Sequence, residues 1–338
     1  MAKTNFYFPL SATLEITNIC NLECIHCYLD KTKPVKLEKN VCLDLIRQLY
    51  DLGCFNIVLT GGEVFLQKET LFSALQEAKR LDMKVTIITN GTLCTFEDLR
   101  LLKGLKLDNL HISVYGNSSD SYYQVTGAEC DVSHLKAKIL YAKQLGINVS
   151  VLSVGINCLF IDLIELQQWC KTNEVAFNLA YVLYGKENGD QETEPLNQEQ
   201  MRTLIEQSEK QRILTAGKQL SHVQSSDFCA AGTRTICIAA SGEVFPCSNW
   251  RVSVGSVFNN KLSDIWHRGE RLQAVRCYSF GDLECAQCER LDFCPTCPGI
   301  NYSSTGDAQT AAPELCKYAE VIGMFVESAK DEEKIRKL

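Results

Sequence analysis

The chain has 338 residues, 46% of them apolar and 22% charged, which is enough for a large domain and a small one around buried cores and excludes a disordered protein. Its formal net charge of −7 offers no concentrated basic face of the kind nucleic acid requires. No apolar run reaches the length of a bilayer span, and Met1 to Leu10 shows no charged region leading into a long apolar stretch, so no membrane contact and no secretory signal are expected and the compartment indicated is the cytoplasm.

In chain order, Thr13 to Ile19 reads as a strand, and Glu38 to about Leu52 as a helix with Val41, Leu45, Leu49 and Leu52 on one face. Asn56 to Leu59 is a short apolar strand running into Thr60-Gly61-Gly62-Glu63, followed by a helix from Leu71 to Leu81. Val85 to Ile88 is a strand ending in Thr89-Asn90-Gly91, and Phe96 to Lys103 is helical. Leu110 to Val114 is a strand, Val132 to Leu145 a helix stopped by Gly146. Val149 to Val154 (strand), Ile161 to Thr172 (helix) and Val175 to Leu183 (strand) complete the series. Six strands separated by helix-sized segments imply a parallel sheet. Without a dinucleotide-type glycine fingerprint, the α/β fold expected is a partial (β/α)6 TIM-like barrel. Such a fold presents its chemistry at the C-terminal ends of the strands, where Thr17, Asn18, Gly61, Gly62, Glu63, Asn90, Ser113 and Asn157 lie. Tyr115, Tyr122 and Tyr123 read as packing residues on a loop after the fourth strand, with a substrate cleft as the alternative, and Trp250 reads the same way.

Gly185 to Pro195 reads as a loop and Gln198 to Ile213 as an amphipathic bridging helix, closing a first domain at about residue 220. The second domain, 221–338, opens with a β-hairpin, Thr233 to Ala239 and Glu243 to Phe245 around Ser241-Gly242. Cysteine-rich loops follow, and Pro313 begins a closing helix.

Eighteen cysteines in a long chain without a secretory signal point to metal ligation rather than disulfides. Six of them, Cys42, Cys54, Cys94, Cys130, Cys158 and Cys170, are scattered and read as small buried hydrophobes. Cys20-x3-Cys24-x2-Cys27 follows directly on the first strand. Three thiolates in a short loop can hold three corners of a cubic 4Fe–4S cluster and leave one iron open, as a catalytic site needs. Zinc more often takes four ligands, and His26, inside the loop beside Cys27, has little freedom to become the fourth.

This spacing at this place resembles the radical S-adenosylmethionine (radical SAM) superfamily, over roughly residues 11–185. The resemblance implies that the open iron chelates S-adenosylmethionine and that electron transfer yields a 5′-deoxyadenosyl radical, which takes hydrogen from a substrate. Gly61-Gly62-Glu63 looks like the family's Gly-Gly-Glu, which binds the methionine amino group. Glycines permit close approach, and a carboxylate suits an ammonium. His26 takes the position of an aromatic residue near the adenine. Ser113 and Asn157 resemble positions that contact ribose or methionine, and Asn90, with Thr89, is a further candidate.

The second cysteine set is Cys229, Cys237, Cys247, Cys277, Cys285, Cys288, Cys294, Cys297 and Cys316. Cys229-x12-Gly242-x4-Cys247, then Cys285-x2-Cys288-x5-Cys294-x2-Cys297 and Cys316, resembles the SPASM domain of radical SAM maturases, which carries two auxiliary 4Fe–4S clusters. Carried over, Cys285, Cys288, Cys294 and Cys316 complete an outer cluster, and Cys229, Cys247 and Cys297 hold an inner one. The last spacing is one residue shorter than the family's Cys-x3-Cys. Some members use a cysteine six positions before the first, where this chain has Val223, so Cys237, Cys277, His222 or no protein ligand completes the inner cluster. A pair of structural zinc ribbons is the alternative.

One SAM-binding and two auxiliary clusters imply a net oxidation, and family members mostly act on peptides, forming thioether or carbon–carbon crosslinks or formylglycine. Ser248 follows Cys247 where formylglycine makers have an aspartate, which disfavours sulfatase maturation. About a dozen residues precede the first strand, too few for the winged-helix module by which many crosslinkers grip a leader peptide. Recognition of a leader peptide is therefore expected to come from a separate leader-binding protein or from the barrel surface, and an electron donor such as flavodoxin or ferredoxin is expected as well. Small-molecule chemistry on a tetrapyrrole is the second enzymatic reading, and an iron–sulfur or zinc redox sensor the non-enzymatic one.

Overall fold

The computed structural model describes residues 7–183, 193–208 and 229–335. The sheet is built in the order expected from the alternating pattern. Strands β1 (Ser11–Thr17), β2 (Asn56–Gly61), β3 (Lys84–Thr89), β4 (Asn109–Ser113), β5 (Asn148–Val154) and β6 (Ala176–Ala180) pair in parallel, each with the next. Between them run helices α1 (Lys39–Asp51), α2 (Lys68–Arg80), α3 (Phe96–Gly104), α4 (Ser119–Thr126), α5 (Val132–Gln144) and α6 (Phe160–Thr172). Leu14, Leu59, Ile87, Ile112 and Val151 are buried from the sheet side, while Leu45, Leu49, Leu71, Leu75 and Ile139 cover it from the helices. This double cover is why the strands read as apolar runs. The partial barrel thus stands as expected.

Two elements differ from expectation. Residues 119–126, read as loop, form α4, whose capping box joins Ser118 and Ser121 and whose end is Gly127 at φ 66°. Tyr122 is therefore a fully buried helical residue and Tyr123 an exposed one. The hairpin of β7 (Thr235–Ile238) and β8 (Glu243–Phe245) forms as expected, but it is not set apart from the barrel. Strand β7 pairs in parallel with β1, Ser11 opposite Thr235 and Thr13 opposite Cys237, and β9 (Gly255–Ser256) completes a nine-stranded sheet. The cysteine-rich segment is thus built onto the free edge of the barrel's first strand.

Helix α7 (Gln198–Ser208) matches the expected bridging helix up to Ser208; its predicted end at Ile213, the expected boundary near residue 220, His222 and Val223 lie outside the described residues. After β9 come α8 (Leu262–Arg268), α9 (Glu270–Arg276), α10 (Pro298–Thr305) and the closing α11 (Pro313–Ile335).

Candidate functional site

Cys20, Cys24 and Cys27 lie half-buried on the loop that leaves β1. Helix α4 braces this loop: the amides of Glu23 and Ile25 donate to the carbonyls of Thr126 and Val125 at 2.8 and 3.0 Å. Lys31 Nζ donates to Leu22 O at 2.8 Å, and the Cys27 amide turns back onto Cys24 O at 3.0 Å. Burial pushes the Cys24 thiol up to about 12, and the neighbouring Cys27 and Cys20 sulfurs push the same way. The three sulfurs sense one another's negative charge, and bound iron would offset that repulsion.

The end of β2 closes on this loop. Gly62 N donates to Thr17 O at 2.6 Å and Glu63 N to Ile19 O at 2.9 Å. A Cβ on Gly61 would lie 2.1 Å from Thr17 O, and Gly61 itself sits at φ +148°. The glycines are thus required first by the protein's own backbone.

Glu63, to which the sequence assigns an ammonium, is fully buried. Its Oε1 accepts from Phe65 N and Thr89 Oγ1 at 2.9 and 2.7 Å, and its Oε2 from Asn90 N at 2.8 Å. Burial raises its carboxyl, opposed by those donors and by the charge of Lys138. The structure uses Glu63 to hold Asn90. The Asn90 amide in turn reaches Asn21 Oδ1 at 3.0 Å and Cys20 Sγ at 3.8 Å, and accepts from Thr92. Lys138, buried on α5, donates to the carbonyls of Gly91 and Thr92 at 3.1 and 3.0 Å. Sequence reasoning missed Asn21 and Lys138. Asn21 had a local signal, its place inside the cysteine loop; Lys138 had none.

His26 meets Tyr115 edge-on with ring centroids 4.5 Å apart. The Tyr115 hydroxyl is raised by burial and by Cys24, and is hydrogen-bonded to Ser113. His26 and Ser113 are therefore brought together through Tyr115. Asn157 is engaged elsewhere: its amide donates to Glu194 Oε2 at 2.8 Å and accepts from Gln200 Nε2 at 2.6 Å. Of the six scattered cysteines, Cys42, Cys54, Cys94 and Cys170 are buried as expected. Cys130 is half-buried and Cys158 exposed, because Cys158 falls on the turn after β5 and not within a core element.

Cys285, Cys288, Cys294 and Cys316 line one hollow of about 170 Å³, together with Leu291, Leu315 and Ala319. Asn301 fixes its wall, donating to Ala308 O at 3.1 Å and accepting from Ala312 N at 3.0 Å. Burial raises the Cys285 thiol, and Cys294, Cys316 and Cys288 add to it.

Cys229, Cys247 and Cys297 form a second group. Burial pushes Cys247 up to about 12, and Cys297 and Cys229 push in the same direction. Cys297 reaches Cys247 because a Cβ on Gly299 would lie 2.8 Å from the Asn249 carbonyl carbon, so the two backbones touch. Trp250 packs beside them, edge-on to Tyr278 at 5.2 Å. Of the inner-cluster alternatives, Cys237 is fully buried against Glu15 and Arg251, and Cys277 is exposed at the end of α9.

All eighteen cysteines are free. Among the described residues, no three His, Cys, Asp or Glu side chains converge on a point that a single ion would occupy. Cys285, Cys288, Cys294 and Cys316 instead surround a hollow wide enough for a larger group.

The family model for the Radical SAM superfamily matches residues 14–165, and that for the SPASM iron-sulfur cluster-binding domain matches residues 229–298. The chain carries a radical SAM domain followed by a SPASM domain. Radical SAM superfamily members are enzymes that bind S-adenosylmethionine and a 4Fe–4S cluster, and the SPASM domain binds additional iron–sulfur clusters. This radical SAM chain is 23% identical to the AdoMet-dependent heme synthase of Methanosarcina barkeri, over 92% of this chain and 97% of that one. It is 28% identical to the antilisterial bacteriocin subtilosin biosynthesis protein AlbA of Bacillus subtilis, over 78% of this chain and 60% of that one. The fold is similar to that of Streptococcus suis SuiB bound to its precursor peptide SuiA, with a TM-score of 0.72 and 19% identity, covering 92% of this chain and 76% of SuiB. No helix among the described residues is long and apolar enough to cross a membrane.

Proposed function

We propose that this radical SAM/SPASM enzyme oxidatively modifies a peptide, forming a thioether or carbon–carbon crosslink, with one SAM-binding cluster and two auxiliary clusters. The observation that carries the cluster assignment is the grouping of the C-terminal thiols: Cys285, Cys288, Cys294 and Cys316 around one hollow, and Cys229, Cys247 and Cys297 close enough to sense one another's charge. Cys20, Cys24 and Cys27 are assigned to the first cluster. When bound there, the cluster and S-adenosylmethionine supply a 5′-deoxyadenosyl radical.

The chain's own residues position this chemistry. Gly61 and Gly62 clamp the cysteine loop to β2, and Glu63 and Asn90 fix its flank at Cys20. His26, with Tyr115 behind it, is assigned to the adenine, and Ser113 to the ribose or methionine. Asn157 is assigned to the cofactor only if its amide leaves Glu194 and Gln200. A separate leader-binding protein and a flavodoxin or ferredoxin donor belong to this proposal.

The peptide substrate is supported by the likeness to the subtilosin protein, whose name places it in bacteriocin biosynthesis. Chemistry on a tetrapyrrole is the second reading, favoured by the near full-length match to the heme synthase. The test is anaerobic reconstitution with iron and sulfide, then S-adenosylmethionine, a strong reductant, and either a short peptide encoded beside the gene or an iron tetrapyrrole. About twelve irons per chain, with 5′-deoxyadenosine and a peptide lighter by a hydrogen pair, support the proposal. Turnover of the tetrapyrrole and not the peptide replaces the first reading with the second.

A further inference from the structure

Glu15 and Arg251 meet in the interior where the cysteine-rich segment joins the barrel. Glu15 stands on β1, whose Thr13 pairs with Cys237 of β7. Its side chain is 3% exposed and that of Arg251 13%. The guanidinium grips the carboxylate with two hydrogen bonds, Nη1 to Oε1 at 2.7 Å and Nη2 to Oε2 at 3.2 Å. The Tyr28 hydroxyl donates to the same Oε1 at 3.0 Å. Arg251 also lies over the rings of Phe245 and Tyr28, at 4.2 and 5.4 Å from their centroids. The Cys237 thiol is 3.9 Å from Glu15 Oε1 and 3.7 Å from Arg251 Nη1, and it is close enough to Cys247 to sense its charge.

A buried ion pair contributes little net stability, because losing water offsets the attraction. Its placement is therefore the informative part. Tyr28 follows Cys27 directly and bonds to Glu15, while Cys237, which senses the charge of Cys247, lies against both Glu15 and Arg251, so the pair touches a neighbour of each cysteine group. Charge near an iron–sulfur cluster sets its reduction potential, and a unit charge in a buried seam acts with little screening.

We propose that Glu15 and Arg251 hold each other's charge in balance beside the inner auxiliary cluster, so that neither charge shifts its reduction potential while both are present. This rests on the reading of Cys229, Cys247 and Cys297 as cluster ligands. The test uses the reconstituted full chain as wild type, E15Q, R251Q and the double variant. Each is titrated anaerobically while electron paramagnetic resonance follows the cluster signals that added S-adenosylmethionine leaves unchanged. E15Q leaves an uncompensated guanidinium, so one auxiliary cluster should titrate at a less negative potential. At a poise where the wild-type cluster is half reduced, its ratio of reduced to oxidised form should rise several-fold. The double variant should return to the wild-type value, which damage to packing would not do. An iron-replete E15Q with no shift, or a double variant that keeps the shift, overturns the inference. If E15Q does not load iron, R251Q decides: a less negative potential there overturns the inference, and a more negative one supports it. Iron and sulfide in the wild type are measured first, since a wild type without auxiliary iron fails the cluster reading itself.

Discussion

Gly62 touches the backbone of Ile19 so closely that a Cβ on it would lie 2.3 Å from the Ile19 carbonyl oxygen. Backbone cannot yield as a flexible side chain would. G62A should therefore pry β2 away from the start of the cysteine loop and cost about 2 kcal/mol or more of apo-protein stability. Urea unfolding of the apo-protein measures this, and iron content after reconstitution should fall with it. An unchanged unfolding midpoint with full iron loading would remove the clamp from the account.

Cys24 is the middle cysteine of the first group, its thiol raised by burial and by the Cys27 and Cys20 sulfurs. C24A should bring 5′-deoxyadenosine formation from S-adenosylmethionine down to the no-enzyme background while leaving the C-terminal groups able to bind iron. Chromatography of the quenched reaction reads the first effect and iron analysis the second. Cleavage at wild-type rate would contradict the assignment of the catalytic cluster.

Cys288 lines the other hollow, with Cys285, Cys294 and Cys316. C288A should lose up to about four irons per chain, one cubic cluster's worth, and keep measurable S-adenosylmethionine cleavage without forming product. Zinc bound at that hollow in the wild type, in place of iron, would support the ribbon reading instead.

The parts of this architecture that rest on local pattern were legible. Buried parallel strands appear as short apolar runs, and a metal-binding loop appears as a cysteine spacing. The strand ends at Thr17, Gly61, Thr89 and Ser113 fall within two residues of where the runs stop. What was illegible depends on distant partners. Nothing in Thr235–Ile238 shows that it joins β1, because that pairing closes a loop of more than two hundred residues. The contact of Glu15 with Arg251 is illegible for the same reason. Helix α4 was hidden because Ser119–Thr126 lacks a clear apolar period and has Gln124 as its one good helix former, although Ser118 and Ser121 carried the capping signal. The hydrogen bonds of Glu63 to Phe65, Thr89 and Asn90 were illegible too, since its motif marks the place but not the inward direction of the side chain.

That inward direction makes Glu63 testable by pH as well as by substitution. Its carboxylate satisfies Phe65 N, Thr89 Oγ1 and Asn90 N together, all in a buried site. In E63Q one acceptor oxygen is replaced by an NH₂ group, so a buried donor faces a donor, a loss of about 1–3 kcal/mol. Asn90 should then loosen beside Cys20, and the affinity of the reconstituted protein for S-adenosylmethionine should fall. The pH dependence follows from burial, which raises the Glu63 carboxyl from its ordinary 4.5. A raised value means that the folded chain holds this proton more tightly than the unfolded one. The contribution of Glu63 to stability is therefore fullest below about 4.5 and declines as pH rises through the raised value. E63Q has no such group, so its stability deficit against wild type should be largest at the acid end and narrow towards neutrality. Urea unfolding of both apo-proteins across that range measures the gap, and a deficit that widens with pH would show that the folded site prefers the ionised carboxylate.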